Sequence, residues 1–387
     1  MKSFFNFFSS LKLTVWLLAA SLILIFFGTL DQVNWGIQEA QQKYFQSIIA
    51  LWGYPPTWVF GNYLKWLHLP IPGGYLVGPL MLINLACAHF KYFRPRWATG
   101  GIVLIHAGIA MLLISQLVTN LVQEESFLWF AEGGTKNYIE SFHRDELVII
   151  DKTDPEKDQV VAIPMEMLER TTPITNPRLP FRVEVRGFFP NAEITRVPEG
   201  NPSPTPVTQG LGATMNLAAK EISRTFKGDR NNSTAIVELS STQGSIGTWL
   251  VSPIFLDQLP PQVFTFDGRT YEIAMRYKRT YLPFTLTLLD FTHERYPGTQ
   301  IPKNFSSKIQ LKDPATKQDR EVIIYMNHPL RYGGLTFYQA SFSGEFQSML
   351  QVVANPSWLA PYIACILVTL GMLWQFGWGL FKFINRR

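Results

Sequence analysis

The stretch ATGGIVLIHAGIAMLLISQLVTNLV, residues 98–122, decides the fold class because its 25 residues include no Asp, Glu, Lys or Arg. A bilayer core of about 30 Å is crossed by roughly 20 helical residues. Charged residues make up only 16% of the whole chain, whereas soluble domains have about 25%. Residues 98–122 are therefore predicted to form a transmembrane helix, and the composition excludes disordered and fibrous proteins.

Three further segments are apolar and free of formal charge: residues 13–30, 73–90 and 358–381. Each can span a bilayer once its uncharged flanks are included, so four transmembrane helices are predicted. A cleaved signal peptide is the alternative for residues 13–30, although no small-residue cleavage pattern follows them. An interfacial or buried hairpin is the alternative for residues 73–90, because they include Pro79; membrane helices nevertheless tolerate proline.

The positive charges predict the orientation of the chain. Eight Lys and Arg, and no Asp or Glu, lie in residues 1–12, 91–97 and 382–387. The positive-inside rule makes these segments cytoplasmic, which places residues 31–72 and 123–357 on the outer side of the membrane. The net charge of +5 is thus a signal of topology, and it does not indicate a nucleic-acid partner.

The outer loop, residues 31–72, contains an aromatic and aliphatic stretch at residues 44–52. Tyr and Trp favour the depth of the membrane interface, so this stretch is predicted to be an interfacial helix that also contacts lipid. An ordinary connecting helix is the alternative.

The outer segment 123–357 is predicted to be a β-rich domain, either an antiparallel sandwich or an open barrel. Short β-branched or aromatic runs, bounded by turn formers, occur at residues 146–151, 159–163, 181–186, 234–239, 270–275, 285–289, 321–325 and 335–340. The triplet Leu-Pro-Phe occurs at residues 179–181 and again at residues 282–284. Two similar β subdomains would explain this repeated triplet. Coincidence would explain it equally, because the match is short.

Motifs of soluble catalysis are absent from the sequence. There is no phosphate-binding loop, dinucleotide fingerprint, nucleophile elbow or zinc-protease motif. The two cysteines, Cys87 and Cys365, both lie in apolar runs, which argues against a disulfide framework or a thiolate metal site. No catalytic residue is therefore assigned.

His106 is the residue that stands out, because it lies inside the 98–122 segment. An ionisable residue within a membrane span is a functional-site candidate. At 100° per residue, the small residues Gly101, Gly108 and Ser115 share one helix face, and His106 lies about 160° from Gly108.

His106 shares its face with Leu113 and Asn120. The small face is predicted to pack within the chain's own helices. The polar face would meet a partner protein, with Asn120 facing the partner, a bound cofactor, or both. A hydrogen bond from His106 to Asn84 of a neighbouring helix is the alternative.

The chain resembles the ResB/CcsB family of system II cytochrome c biogenesis proteins. The resemblance is carried by four spans with a large outer insert, by His106-Ala107-Gly108, by Leu282-Pro283-Phe284 and by Asn327-His328-Pro329-Leu330-Arg331-Tyr332-Gly333-Gly334. It also includes Gly28-Thr29-Leu30-Asp31-Gln32 at the end of the first span.

The resemblance implies a subunit that handles haem as transient cargo in the bacterial cytoplasmic membrane, with residues 123–357 in the periplasm. The expected partners are a ResC/CcsA-type membrane protein, apocytochrome c and a thioredoxin-like thiol reductant. His106 is the expected axial ligand to haem iron, and His89 is the reserve candidate. The second axial ligand would then come from the partner, and the chain alone would not complete haem attachment.

A membrane-anchored scaffold or sensor, whose outer β domain binds peptide or envelope components, is the competing hypothesis. A small-molecule transporter subunit is a third. A bound haem chromophore in the purified complex would distinguish a haem-handling subunit from a scaffold.

Overall fold

The computed structural model describes the chain except for residues 1, 36–39, 56–57, 62, 65, 94–95, 171, 199–206, 223–230, 257–258, 300–301 and 386–387. Arg94, Arg386 and Arg387, three of the cations that predict the orientation, lie outside the described residues. The described chain divides into a helical unit, residues 1–124 and 355–387, and a β unit, residues 125–225 and 229–354.

The helical unit has a helix at each of the four predicted segments. Its helices are α1 (Lys2–Phe8), α2 (Leu11–Trp35), α3 (Gly74–Tyr92), α4 (Gly100–Val122) and α5 (Ala360–Ile384). In the described part of the chain, three segments are long and apolar enough to cross a membrane: Leu11–Val33, Trp97–Val122 and Ala360–Ile384. The 19-residue helix α3 is not among them, since Pro79, Asn84 and His89 dilute its apolar residues. A membrane crossing by α3 stays a prediction.

The loop between α2 and α3 corrects the sequence analysis. The interfacial helix predicted for residues 44–52 is wrong: only a five-residue π-helix, Gln41–Phe45, lies there. It is followed by the antiparallel hairpin of β1 (Ile49–Gly53) and β2 (His68–Pro72). Ala50 and Trp52 are buried, Ile49 and Leu51 are exposed, and Gly53 is half-buried. This alternation is the period of a strand, and it places Trp52 in the core of the helical unit rather than on a lipid-facing helix.

The β unit contains fifteen strands among the described residues, and all eight predicted runs lie in them, apart from Phe181, which immediately precedes one. The strands are β3 (Glu124–Ala131), β4 (Thr135–Asp151), β5 (Gln159–Pro164), β6 (Arg182–Phe189), β7 (Ala192–Arg196), β8 (Leu217–Glu221), β9 (Thr234–Ser241), β10 (Gly244–Val251), β11 (Gln262–Phe266), β12 (Arg269–Arg295), β13 (Pro302–Asp313), β14 (Gln318–Tyr325), β15 (Leu330–Tyr332), β16 (Leu335–Ser343) and β17 (Gln347–Ala354).

A ten-stranded sheet curls into a nearly closed barrel; eight of its strands follow the order β14-β13-β12-β4-β3-β17-β16-β15, while β11 pairs with β12 and β5 with β4 off this path. Its two ends approach each other where the Tyr332 hydroxyl of the edge strand β15 donates over 2.5 Å to the carboxylate of Asp313, the last residue of β13, which pairs with the other edge strand, β14. The barrel core includes Leu286, Ile309 and Phe337, all fully buried. A barrel is thus one of the two predicted architectures that the structure contains.

A sandwich is the other. The sheet β10-β9-β6 packs against β4, β5, β11 and β12 in a second core that includes Val183, Val237 and Ile273. The two cores match the expectation of two subdomains only loosely, because β4 and β12 run through both. The two Leu-Pro-Phe triplets place Phe181 in one core and Phe284 in the other. A three-stranded sheet and a ten-stranded sheet are nevertheless not a structural repeat.

Candidate functional site

The small-residue face of α4 packs against α5, as the sequence predicts. Gly101 lies so close to α5 that an added Cβ would be 2.5 Å from the Gly371 carbonyl oxygen. One at Gly108 would be 2.8 Å from the Ala364 carbonyl oxygen. Gly101, Gly108 and Ser115 are all buried. Backbone contact of this kind requires small residues on both helices, here Gly101 and Gly108 on α4 and Ala364 and Gly371 on α5, and it fixes the rotation of α4 about its own axis.

The opposite face of α4 carries His106, which shares a groove with His89 of α3. The centres of the two imidazole rings are 5.8 Å apart, and the ring planes meet at 79°. The groove has a volume of about 490 Å³ and lies between α3 and α4. The sequence presents His89 only as a substitute for His106, whereas the structure brings the two histidines together.

Neither Asn84 nor any other described residue satisfies the buried nitrogen of His106. Nδ1 of His106 is buried and has no hydrogen-bond partner among the described atoms. The alternative of an Asn84 partner is wrong, because Asn84 points to the N-terminal segment. It accepts from Thr14 Oγ1 over 2.7 Å and donates to the Phe8 carbonyl oxygen over 2.7 Å. A buried imidazole nitrogen without a partner is costly, which marks this position as one that suits a ligand.

His89 is held by its own helix end. Its ring stacks on Phe93 with centres 4.5 Å apart and planes 11° apart. This contact orients the imidazole across the groove. The sequence alone could not show it, because Phe93 follows the last residue of α3 and its side-chain direction depends on how the helix ends.

A second cavity, of about 420 Å³, is lined by α2, α3, the π-helix and α4. Asn120, predicted to face a partner, lies here and accepts a hydrogen bond from Gln116 Nε2 over 3.1 Å. Leu82 of α3 lines both this cavity and the histidine groove. The predicted polar face of α4 therefore borders open space along much of its length.

The residues of the groove fit haem better than a free metal ion. In the described part of the chain, no group of three or more His, Cys, Asp or Glu could hold a metal ion. Haem brings four nitrogen ligands of its own and needs only axial ligands, for which imidazole is common. Nine of the eleven residues lining the groove are apolar, as expected for a site that takes a large, mostly apolar ring.

Comparison with known proteins bears on the β unit. The ResB-like family model matches residues 264–357. The matched segment is thus similar to the ResB-like family. It runs from β11 through β17 to the residues before α5, so the resemblance seen in the sequence is confirmed there. The ResB-like segment does not include His89 or His106.

Two curated relatives extend the comparison. Protein NrfI of Wolinella succinogenes is 33% identical over 118 residues, which is 30% of this chain and 13% of NrfI. Cytochrome c biogenesis protein CcsB of Prochlorococcus marinus (strain MIT 9313) is 32% identical over 117 residues, 30% of this chain and 25% of CcsB. The match thus spans about an eighth of one relative and a quarter of the other.

Proposed function

We propose that this protein is a membrane subunit of a cytochrome c biogenesis complex, in which it holds haem before the haem is attached to apocytochrome c. The observation that carries the proposal is the groove with two histidines and apolar walls, present in a chain that also has a ResB-like segment. The printed name of CcsB supports a role in cytochrome c biogenesis. The groove supports haem binding as the part of that process that this chain performs.

His106 would hold the iron. A neutral imidazole has one nitrogen lone pair to donate to a metal. The bound haem supplies the chemistry of attachment, since its vinyl groups form thioethers with the cysteine thiols of the apocytochrome. This chain binds and orients the haem and keeps water from it, and no residue of its own is assigned a catalytic step.

A ResC/CcsA-type membrane protein is the proposed partner for attachment, and a thioredoxin-like protein is proposed to keep the substrate thiols reduced. Asn120 lines the cavity that adjoins the groove. A polar side chain at the wall of an open cavity in a membrane is favoured when a partner helix or a cargo covers it. We place the β unit on the periplasmic side from the charge pattern. Alkaline phosphatase fused after Ser233 should be active, and fused after Arg387 inactive; the reverse pattern would overturn this orientation.

His106→Ala in the full complex tests the haem-binding step. The variant should reach wild-type levels in the membrane, because alanine is a good helix former. It should carry at most about a tenth of the wild-type haem, a loss of roughly 1.4 kcal/mol or more in binding, and should fail to mature cytochrome c. His68→Ala, which removes an exposed histidine of β2 in the same unit, is the matched control and should be unchanged.

The scaffold hypothesis predicts a different result. A scaffold would have no haem chromophore in the purified wild-type complex, and His106→Ala would mature cytochrome c normally. Either finding would contradict the haem-binding role, whatever the family of the β unit.

A further inference from the structure

We infer that the β1–β2 hairpin of the helical unit lies in the lipid interface of the outer leaflet, where its turn and the outer face of β1 contact phospholipid. The inference goes beyond the proposed function and rests only on the membrane placement within it. It also differs from the interfacial helix predicted for residues 44–52, because it concerns a hairpin whose Trp52 packs inward.

The turn between the two strands, residues 54–67, exposes large apolar side chains. Val59, Phe60, Tyr63 and Trp66 are each between 67% and 79% exposed. Soluble surfaces carry single exposed apolar residues, whereas a group of them in one short turn marks an interaction surface.

The outer face of β1 continues this apolar surface. The inner face places Ala50 and Trp52 in the core of the helical unit, while Ile49 and Leu51 on the other face are 60% and 57% exposed. A hairpin with one face on a core and the other in water normally has polar residues on the wet face. Because both faces of β1 are apolar, the outer face is suited to a cover other than water.

The tip of the turn has an aromatic residue in an unusual conformation. Phe60 has a φ of +67°, a region that glycine and asparagine occupy with less strain than a bulky residue does. The Phe60 carbonyl oxygen accepts from the amides of Tyr63 and Leu64 over 2.9 and 3.0 Å, which holds the turn in this shape. A hydrophilic turn would be better served by Gly or Asn here, so the exposed ring indicates an apolar environment.

The chemistry of the surface favours lipid over a protein partner. Residues 40–72 contain no Asp or Glu, and Trp and Tyr rings favour the depth of the membrane interface. A protein interface usually surrounds its apolar centre with a polar rim. An acid-free surface of aromatic and aliphatic residues is instead typical of elements that lie in the headgroup region.

The base of the hairpin is joined to the first turn of α3. The amide of Gly73 donates to the Ile48 carbonyl oxygen over 2.8 Å, and the amide of Tyr75 donates to the Ser47 carbonyl oxygen over 3.1 Å. A Cβ at Gly73 would clash with that Ser47 oxygen, so the joint is close and rigid. The exposed face of the hairpin therefore begins at the level where α3 begins. A hairpin anchored in lipid would hold the outer end of α3, the helix whose apolar residues are diluted by polar ones.

Spin-label accessibility in the full chain tests the inference. The chain is placed without a partner in nanodiscs of phosphatidylethanolamine and phosphatidylglycerol, with Cys87→Ala and Cys365→Ala as the background. A nitroxide on Tyr63→Cys or Leu51→Cys should collide with oxygen, which concentrates in hydrocarbon, and be shielded from a water-soluble nickel chelate. Both labels should lie roughly 5–10 Å into the boundary between headgroups and acyl chains.

Two further positions calibrate the measurement. Leu22→Cys, at an exposed residue of α2, is the lipid standard, and Gln243→Cys, at an exposed residue between β9 and β10, is the aqueous standard. A Tyr63 label as open to the nickel chelate as the Gln243 label would overturn the inference. A Tyr63 label shielded from both reagents would show that protein covers this surface, and would overturn it as well.

The Leu22 label separates this inference from the proposed function. If the Leu22 label lies in lipid while the Tyr63 label lies in water, only the hairpin inference fails. If the Leu22 label also lies in water, the membrane placement of the helical unit fails with it.

A charge variant tests whether lipid holds the hairpin in place. Val59→Asp combined with Trp66→Asp should move the Leu51 label out to the aqueous side of the headgroups, because carboxylates are costly in hydrocarbon. Val59→Leu combined with Trp66→Phe is the matched apolar control and should leave the label at its original depth. An unchanged depth in the Asp variant would overturn the inference.

Discussion

Helix α4 has two neighbours, and it meets them in opposite ways. Against α5 it has glycines whose missing side chains let backbone touch backbone. Against α3 it has His106, Leu113 and other larger residues, and the space between the two helices holds two cavities. Because lipid is as apolar as a helix surface, close contact in a membrane depends on small residues and shape. The same helix is thus bound tightly on one side and left accessible on the other.

The largest expected effect is on the tight interface. A Cβ at Gly371 would lie 2.7 Å from the Gly101 carbonyl oxygen and 2.9 Å from the Ile105 amide nitrogen, so Gly371→Leu must push α5 away from α4. We expect a loss of about 3 kcal/mol in unfolding free energy, measured as unfolding in mixed micelles. Gly377→Leu on the same helix is the control, since nothing lies within 4 Å of its Cβ position. Equal effects at the two glycines would show that close packing does not set the strength of this interface.

The open interface should behave in the opposite way, because Ala86 is an exposed residue of α3 that lines the histidine groove. Ala86→Trp should fill the groove and reduce haem content at least tenfold, while it changes stability by about 0.5 kcal/mol or less. Ala86→Ser is the matched small control and should keep the haem. If Ala86→Trp destabilised the protein as much as Gly371→Leu, the two sides of α4 would be packed alike.

The smallest expected effect concerns Asn84, which joins α3 to the N-terminal segment. Asn84→Leu removes its hydrogen bonds to Thr14 and Phe8 and should cost about 1 kcal/mol, as interhelical hydrogen bonds in membranes do. The haem spectrum should not change, because Asn84 does not contact His106. Thr14→Val removes one of these bonds and should cost less. A high-spin spectrum in Asn84→Leu would contradict the separation of the two faces of α3.

Much of the difference between the two sides of α4 could be predicted from the sequence. The uncharged runs locate α2, α3, α4 and α5, and the 100° spacing assigns Gly101 and His106 to opposite faces of α4. The meeting of His89 with His106 could not be predicted, because it depends on how α3 and α4 cross.

The sequence does not predict the long strands of the β unit, and the reason is electrostatic. The sequence predicts separate strands at residues 270–275 and 285–289, with charged residues between them. The structure continues β12 through this region, where carboxylates of β4 neutralise Arg276 and Arg279. Arg276 pairs with Glu146 over 2.9 Å and Arg279 with Glu140 over 3.0 Å. In a sequence pattern a charged residue indicates the end of a strand. The same residue lies inside the strand when the facing strand has the opposite charge.

The pairing of β4 with β12 also has a consequence during protein synthesis. Glu146 is 130 residues from Arg276, and Thr135 is 152 residues from Thr287, to which it is hydrogen-bonded. At the pace of translation, β4 leaves the ribosome roughly 10 s before its partner strand exists. Its apolar residues Leu147 and Ile149, fully buried in the finished protein, can pair early with β5 but must wait that long for β12 on their other side. Native pairings this distant in sequence make the β unit a slow folder.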